Sequence, residues 1–274
     1  MTVKRLAGKL LLTAAILLVV LLWSVPFLWM FLGSLKEADV IAATDLVWVF
    51  KPTLEHYRTI FQKYPFFHYL RNSVVVAVAA CFLTMVAGGL TAYSMSRFRF
   101  GGAPFSYWVL FTRMLPPPVL IVPLFILFRT AGLINTLTSL VLANSSFLLS
   151  FVIWVMKSFF DEVPYALEES AMMDGASRFQ ALVYVVLPLV TPGMITTFIL
   201  TFINAWNEYL FAMVLAPATA VKTLPVAAGD FITGYAINWG PVFASGSVIV
   251  LPVFVLSVFL QKYIVKGLTL GAIK

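Results

Sequence analysis

The sequence predicts an all-α integral membrane protein, and three observations predict it. Of its 274 residues, 62% are hydrophobic and 15% aromatic, with a mean hydropathy of +1.00, against roughly 45–50% apolar usage in soluble domains. Charged residues make up only 11% and fall in clusters that leave long apolar stretches between them, each near the about 20 helical residues that cross a bilayer core. Lys and Arg are unevenly shared between alternate gaps, as expected where short basic loops stay in the cytoplasm.

Six spans follow, at 10–32, 73–94, 103–128, 137–156, 189–213 and 242–263, and residues 1–274 read as a single transmembrane domain. The first stretch is preceded by Lys4, Arg5 and Lys9, but it is longer than the about 7–15 residues of a secretory h-region. It reads as an uncleaved anchor. With the N-terminus inside, Arg97, Arg99, Lys157, Arg178, Lys262, Lys266 and Lys274 are also cytoplasmic, and most remaining cations share one long outer loop. Both termini are therefore expected in the cytoplasm. The net charge of +7 reflects this orientation, so no nucleic-acid partner is needed to explain it. Cys81 is alone and makes no disulfide. In the third span Pro116, Pro117, Pro118 and Pro123 must kink or interrupt the helix.

A polar, glycine-broken stretch, EESAMMDGASRFQALVYVVLP at 168–188, lies between spans four and five on the cytoplasmic side. Pro164 suits a first helical turn, and Glu168 and Glu169 lie near the positive end of the helix that follows. Asp174-Gly175 supplies a turn with glycine just past the helix end. Ser177 and Gln180 have capping-box spacing for a second helix, which Leu187-Pro188 and Thr191-Pro192 are expected to end before the fifth span begins.

This stretch resembles the signature loop of binding-protein-dependent ABC importer permeases, E-A-A-x-x-x-G followed after nine residues by I-x-L-P. Here Glu169-Ser170-Ala171, Gly175, Val185, Leu187 and Pro188 keep every gap, with Ser for Ala and Val for Ile. The resemblance implies a type I ABC importer permease fold in which the loop at 160–188 is a coupling helix docked on a separate ATPase. Glu169, Ser170, Ala171, Asp174, Gly175, Leu187 and Pro188 then carry the docking. The tail LQKYIVKGLTLGAIK, together with RTAGLINT from Arg129 and NAWNEYLFA from Asn204, resembles the carbohydrate, maltose-transporter branch of these permeases. By that resemblance Gly267, Leu268, Gly271 and Lys274 contact the ATPase; a basic tail at anionic lipid is the other reading. The implied partners are a second, paralogous permease, an ATPase dimer that binds ATP and magnesium, an extracytoplasmic sugar-binding protein and a sugar, in a bacterial inner membrane. The sequence holds no G-x-x-x-x-G-K-[ST] phosphate loop, so no ATP, cofactor or metal is expected on this chain.

Span five carries Thr197, Thr201, Asn204 and Glu208 on one helical face, with Trp206 and Asn207 beside it. Such a stripe faces either a sugar path or a neighbouring helix, and both readings are open. Glu208 pairing with Arg113, the basic residue well inside a span, belongs to the packing reading. Asn144, Ser145, Ser146 and Ser150 in span four pose the same choice, with back-bonding to helix carbonyls as the ordinary alternative. Thr84, Gly88 and Thr91 read as a packing face. His56 and His68 fall in the outer loop without metal-ligand spacing and are expected to be solvated. An ion-coupled secondary carrier would need Glu208 to titrate, and an intramembrane protease lacks a membrane-embedded His base. Neither has a reason to keep the 169–188 spacing.

Overall fold

A computed structural model describes residues 3–43, 45 and 47–270, with side chains described for 8–43, 45 and 47–258. Gly271 and Lys274 lie outside the described residues. Helices run over Val3–Ser34 (α1), Ala38–Ala42 (α2), Glu55–Lys63 (α3), Phe66–Phe98 (α4), Gly102–Met114 (α5), Pro117–Thr130 (α6) and Leu137–Glu162 (α7). They continue with Tyr165–Met173 (α8), Arg178–Ala181 (α9), Leu187–Trp206 (α10), Leu210–Leu215 (α11), Leu224–Gly229 (α12) and Trp239–Leu270 (α13). Among the described residues strand pairing is limited to one isolated bridge, Ile232 with Ile237.

Among the described residues five stretches are long and apolar enough to cross a bilayer, at Gly8–Ser34, Phe66–Phe98, Leu137–Glu162, Arg178–Trp206 and Trp239–Val258. The bent pair α5 and α6 makes a sixth if counted as one span. The two helices meet at 95°. Leu115 and Pro116 are extended there, because consecutive prolines exclude the helical conformation from the residue before each and remove backbone donors. Pro123, alone, stays inside α6.

The chain divides into two compact units, Met1–Phe66 with Ala227–Leu251, and Phe67–Val226 with Pro252–Lys274. In the first, α1 and α13 approach through glycine: a Cβ on Gly33 would fall 2.6 Å from the Phe243 ring, and one on Gly246 would fall 2.7 Å from Met30 Sδ. His56 is buried and its Nε2 donates to the Lys36 carbonyl at 2.8 Å, and Ser34 Oγ lies 2.8 Å from the Tyr57 hydroxyl. The solvated state expected for His56 is thus corrected: it ties the start of α3 to the segment after α1. His68, on α4, is also engaged, donating to the Ala220 carbonyl at 2.6 Å.

In the second unit α4, α7 and α10 form the centre. One apolar cluster joins Phe128, Leu140, Phe211 and Leu215, and another joins Tyr93, Val152, Met156, Phe160, Leu182 and Val190. Gly88 admits Val152 and Gly193 admits the ring of Phe159, so small residues set the helix approach, as in other membrane bundles. Thr84 donates to Ala80 and Thr197 to Gly193, each 4 residues back. Their hydroxyls are satisfied within their own helices while their methyl groups pack.

At 182–186 the helix widens into one π turn, with Leu187 N–H donating to the Leu182 carbonyl. This corrects the expectation that Pro188 and Pro192 end the helix. A proline ring crowds the carbonyl four residues back, which for Pro188 is that of Tyr184, and a π turn displaces that carbonyl. The helix therefore runs on from α9 into α10, and the short surface segment is joined to a span without a loop.

Candidate functional site

The local structure of the 160–188 loop follows from its caps. Pro164 stands one residue ahead of the helix, at the N-cap of α8. At the other end Gly175 has φ +94°, with Gly175 N–H donating to the Met172 carbonyl and Ala176 N–H to Ala171, the paired bonds of a Schellman turn. Ser177 Oγ accepts from Gln180 N–H at 3.2 Å, and Gln180 Oε1 accepts from Ser177 N–H at 2.7 Å. The two caps hold α8 and α9 in a fixed bend.

The two adjacent glutamates part company here. Glu168 is 3% exposed: its Oε2 accepts from the Tyr93 hydroxyl at 2.7 Å and its Oε1 pairs with Arg97 Nε. Arg97 also donates to the Val163 carbonyl at 3.0 Å and lies over the Tyr165 ring. Ser96 donates to Asp161, which pairs with Lys157 at 2.5 Å. Glu169, Ser170, Asp174 and Gly175 are exposed, with Ala171 half-buried. Around them Met173, Phe179 and Tyr184 are largely exposed as well. Leu187 and Pro188 sit at the start of α10, above the π turn. Gly267 and Leu268 lie on the last turns of α13.

The stripe of span five divides. Thr197 and Thr201 are fully buried and back-bonded, so they pack. Asn204 and Glu208 instead line a cavity of about 300 Å³, together with Asn144, Pro117, Phe147, Tyr209 and Phe211. Asn144 and Asn204 each donate to the carbonyl 4 residues back, Leu140 and Leu200, which turns the amide nitrogen to the helix. Trp206 is buried, stacked on Phe202 with centroids 5.7 Å apart, and does not line that cavity. Asn207 is exposed just past α10 and does not line it.

Glu208 does not pair with Arg113. Its carboxylate accepts from the N–H of Phe211 at 2.6 Å and of Ala212 at 3.0 Å, capping α11 after a break at Asn207. Arg113 lies over the rings of Phe147 and Phe151, 5.7 and 5.1 Å from their centres. Glu208→Ala is expected to cost about 1–2 kcal/mol through the lost cap, and Glu208→Gln less, since one acceptor oxygen remains. Thermal unfolding of the detergent-solubilised chain measures both; equal midpoints for Ala and wild type contradict the capping role.

Sequence reasoning missed Asn72 and Ser73, at the start of α4. Asn72 Nδ2 donates to the carbonyls of Ala220 and Lys222 at 3.2 and 3.0 Å, and Ser73 Oγ accepts from Leu224 N–H at 2.8 Å. The signal available was two adjacent polar residues on the edge of an apolar run, which is ordinary at span ends. Among the described residues no group of three metal-ligating side chains occurs.

Spanning helices around a polar-edged cavity, one of them continuous through α9 with a capped turn that presents the exposed acidic edge of α8, make up a membrane subunit with a docking edge. The chain belongs to the family of binding-protein-dependent transport system inner membrane components, whose model matches residues 83–270. It is similar to the diacetylchitobiose uptake system permease protein of Streptomyces coelicolor, at 34% identity covering 96% of this chain and 95% of that one. It is also similar to the trehalose/maltose transport system permease protein of Thermococcus litoralis, 34% identical over 97% of each. The fold matches a chain of a bacterial ABC transporter involved in import of the acidic polysaccharide alginate, with a TM-score of 0.80, 21% identity and coverage of 96% and 98%.

Proposed function

We propose that this chain is one of two membrane subunits of an ATP-driven importer and lines half of the path for a di- or oligosaccharide handed over by an external binding protein. The observation that carries the reading is the loop at 160–188, which buries Glu168 against α4 and leaves Glu169, Ser170, Asp174 and Gly175 exposed. That edge suits a partner: a carboxylate for a charge-assisted contact and small side chains for close approach. ATP and magnesium are bound by the partner ATPase dimer, and this chain performs no covalent chemistry. Both termini and the loop face the cytoplasm, while 33–71 and 216–241 face the binding protein, and residues 1–274 act as one permease domain.

The names of the relatives favour a sugar substrate, and the cavity bounded by Asn144, Asn204, Glu208 and Tyr209 offers the amide and carboxylate groups that hydrogen-bond sugar hydroxyls. Trp206 and Asn207 do not enter that lining. Gly267 and Leu268, with Gly271 and Lys274, extend the ATPase contact in this reading. The ion-coupled carrier loses its support, because the chain belongs to the family of binding-protein-dependent transport system inner membrane components.

The test is a mild-detergent pull-down of the tagged chain from its native membranes, wild type against Gly175→Arg, with partners identified by mass spectrometry. An L-residue at φ +94° strains the turn that joins α8 to α9. Wild type is expected to retain an ATPase subunit and a second permease, and the variant to lose the ATPase selectively. A chain that purifies alone under every gentle condition overturns the reading.

A further inference from the structure

The loop proposed to grip an ATPase is itself gripped from behind. We infer that Tyr93, Arg97 and Glu168 form a latch that makes α8 and the cytoplasmic end of α4 move as one body, so that α4, and not α10 alone, receives any displacement of the loop directly. The inference rests on the coupling reading above and deepens it.

Tyr93 and Arg97 are one turn apart on α4 and reach the same carboxylate. The Tyr93 hydroxyl holds Oε2 and Arg97 Nε holds Oε1, so both oxygens of Glu168 are engaged by one helix. The pair is enclosed, with side chains 6% and 4% exposed. A buried charged group with its partner removed is strongly disfavoured, so the latch does not open without penalty. Its surroundings are stiff as well. The Tyr93 ring meets Phe98 and Phe160 edge-on, with centroids 6.0 and 5.6 Å apart. Arg178, opening α9, lies over Phe98 at 5.4 Å, and Arg97 holds the Val163 carbonyl just past α7. The last turns of α4 thus touch α7, α8 and α9 together.

This differs from the role of Glu169, whose exposure suits it to a partner. Glu168 is a positioning residue: it faces no ligand and acts through α4. Its effect is a restriction of relative movement, which a purely stabilising contact elsewhere in the fold does not impose.

The experiment is a pulsed-EPR distance measurement between nitroxides at Met173→Cys on α8 and Phe82→Cys on α4, both exposed positions. The native Cys81 is buried and stays in place. In the complex purified with its ATPase subunit, the expected result is one narrow distance distribution, unchanged by ATP with vanadate. Adding Glu168→Gln is expected to at least double its width, with the ATPase subunit still copurifying. Should that variant fail to fold, Tyr93→Phe removes one bond without stranding a charge and is expected to broaden the distribution by a smaller amount. A distribution as narrow as wild type in the variants overturns the latch. So does a shift with nucleotide in the wild type. If no ATPase copurifies, it is the coupling reading that fails, and the comparison of Glu168→Gln with wild type still decides the latch in the isolated chain.

Discussion

Gly193→Leu is expected to abolish most of the yield of folded, monodisperse protein. A Cβ at this position would lie within 2.5 Å of the Phe159 ring atoms, where α10 crosses α7, and Phe159 packs against the cluster that holds Tyr93, Met156 and Phe160. Relief requires the ring to turn into neighbours or the helices to separate. Overpacking of this kind costs about 1–3 kcal/mol even when the surroundings adjust, and a leucine adds three carbons beyond the Cβ. Gly193→Ala is expected to survive with a lowered unfolding temperature. Size-exclusion profiles and thermal unfolding in detergent read both. A leucine variant with wild-type behaviour means the α7–α10 contact is looser than described.

Asn72→Leu is expected to be the second most damaging change, with its effect confined to the stretch 216–224. The amide of Asn72 donates to the carbonyls of Ala220 and Lys222; the Ala220 carbonyl keeps its bond from His68, so the loss falls chiefly on the half-buried Lys222, at about 1 kcal/mol for one hydrogen bond. Leucine has the same branched outline, in a somewhat larger volume, and offers nothing to either. Backbone amide exchange around Leu224 should accelerate about fivefold, while exchange in the middle of α7 should not change. Equal protection in variant and wild type contradicts the clamp.

Why was so much of the fold legible and so little of the side-chain wiring? Apolar runs long enough for a bilayer leave few choices, because backbone groups without water must pair within a helix, so the spans of α4, α7 and α10 follow from composition. The loop was legible for a local reason: Gly175, Ser177 and Gln180 act on residues three or four away, and their bonds form as their spacing predicts. Long-range partners were not. Nothing in Glu168-Glu169 says which is buried; that is decided by Tyr93 and Arg97, 75 and 71 residues earlier. Asn72 meets partners 148 and 150 residues away. Glu208 was placed within a continuous fifth span, and the break at Asn207 turned it into the cap of a new helix. The prolines at 188 and 192 were read as stops, whereas the ladder absorbs the first by widening.

That widened turn also has a meaning in chain length. A π turn accommodates one residue more than an α turn over the same rise, and each residue of an α-helix advances the azimuth by about 100°. The direction in which the 169–175 edge points, seen down α10, is therefore encoded by a count of residues between 182 and 186 rather than by any particular side chain. Many sequences through that segment would aim the loop correctly, and nearly every change in its length would aim it elsewhere.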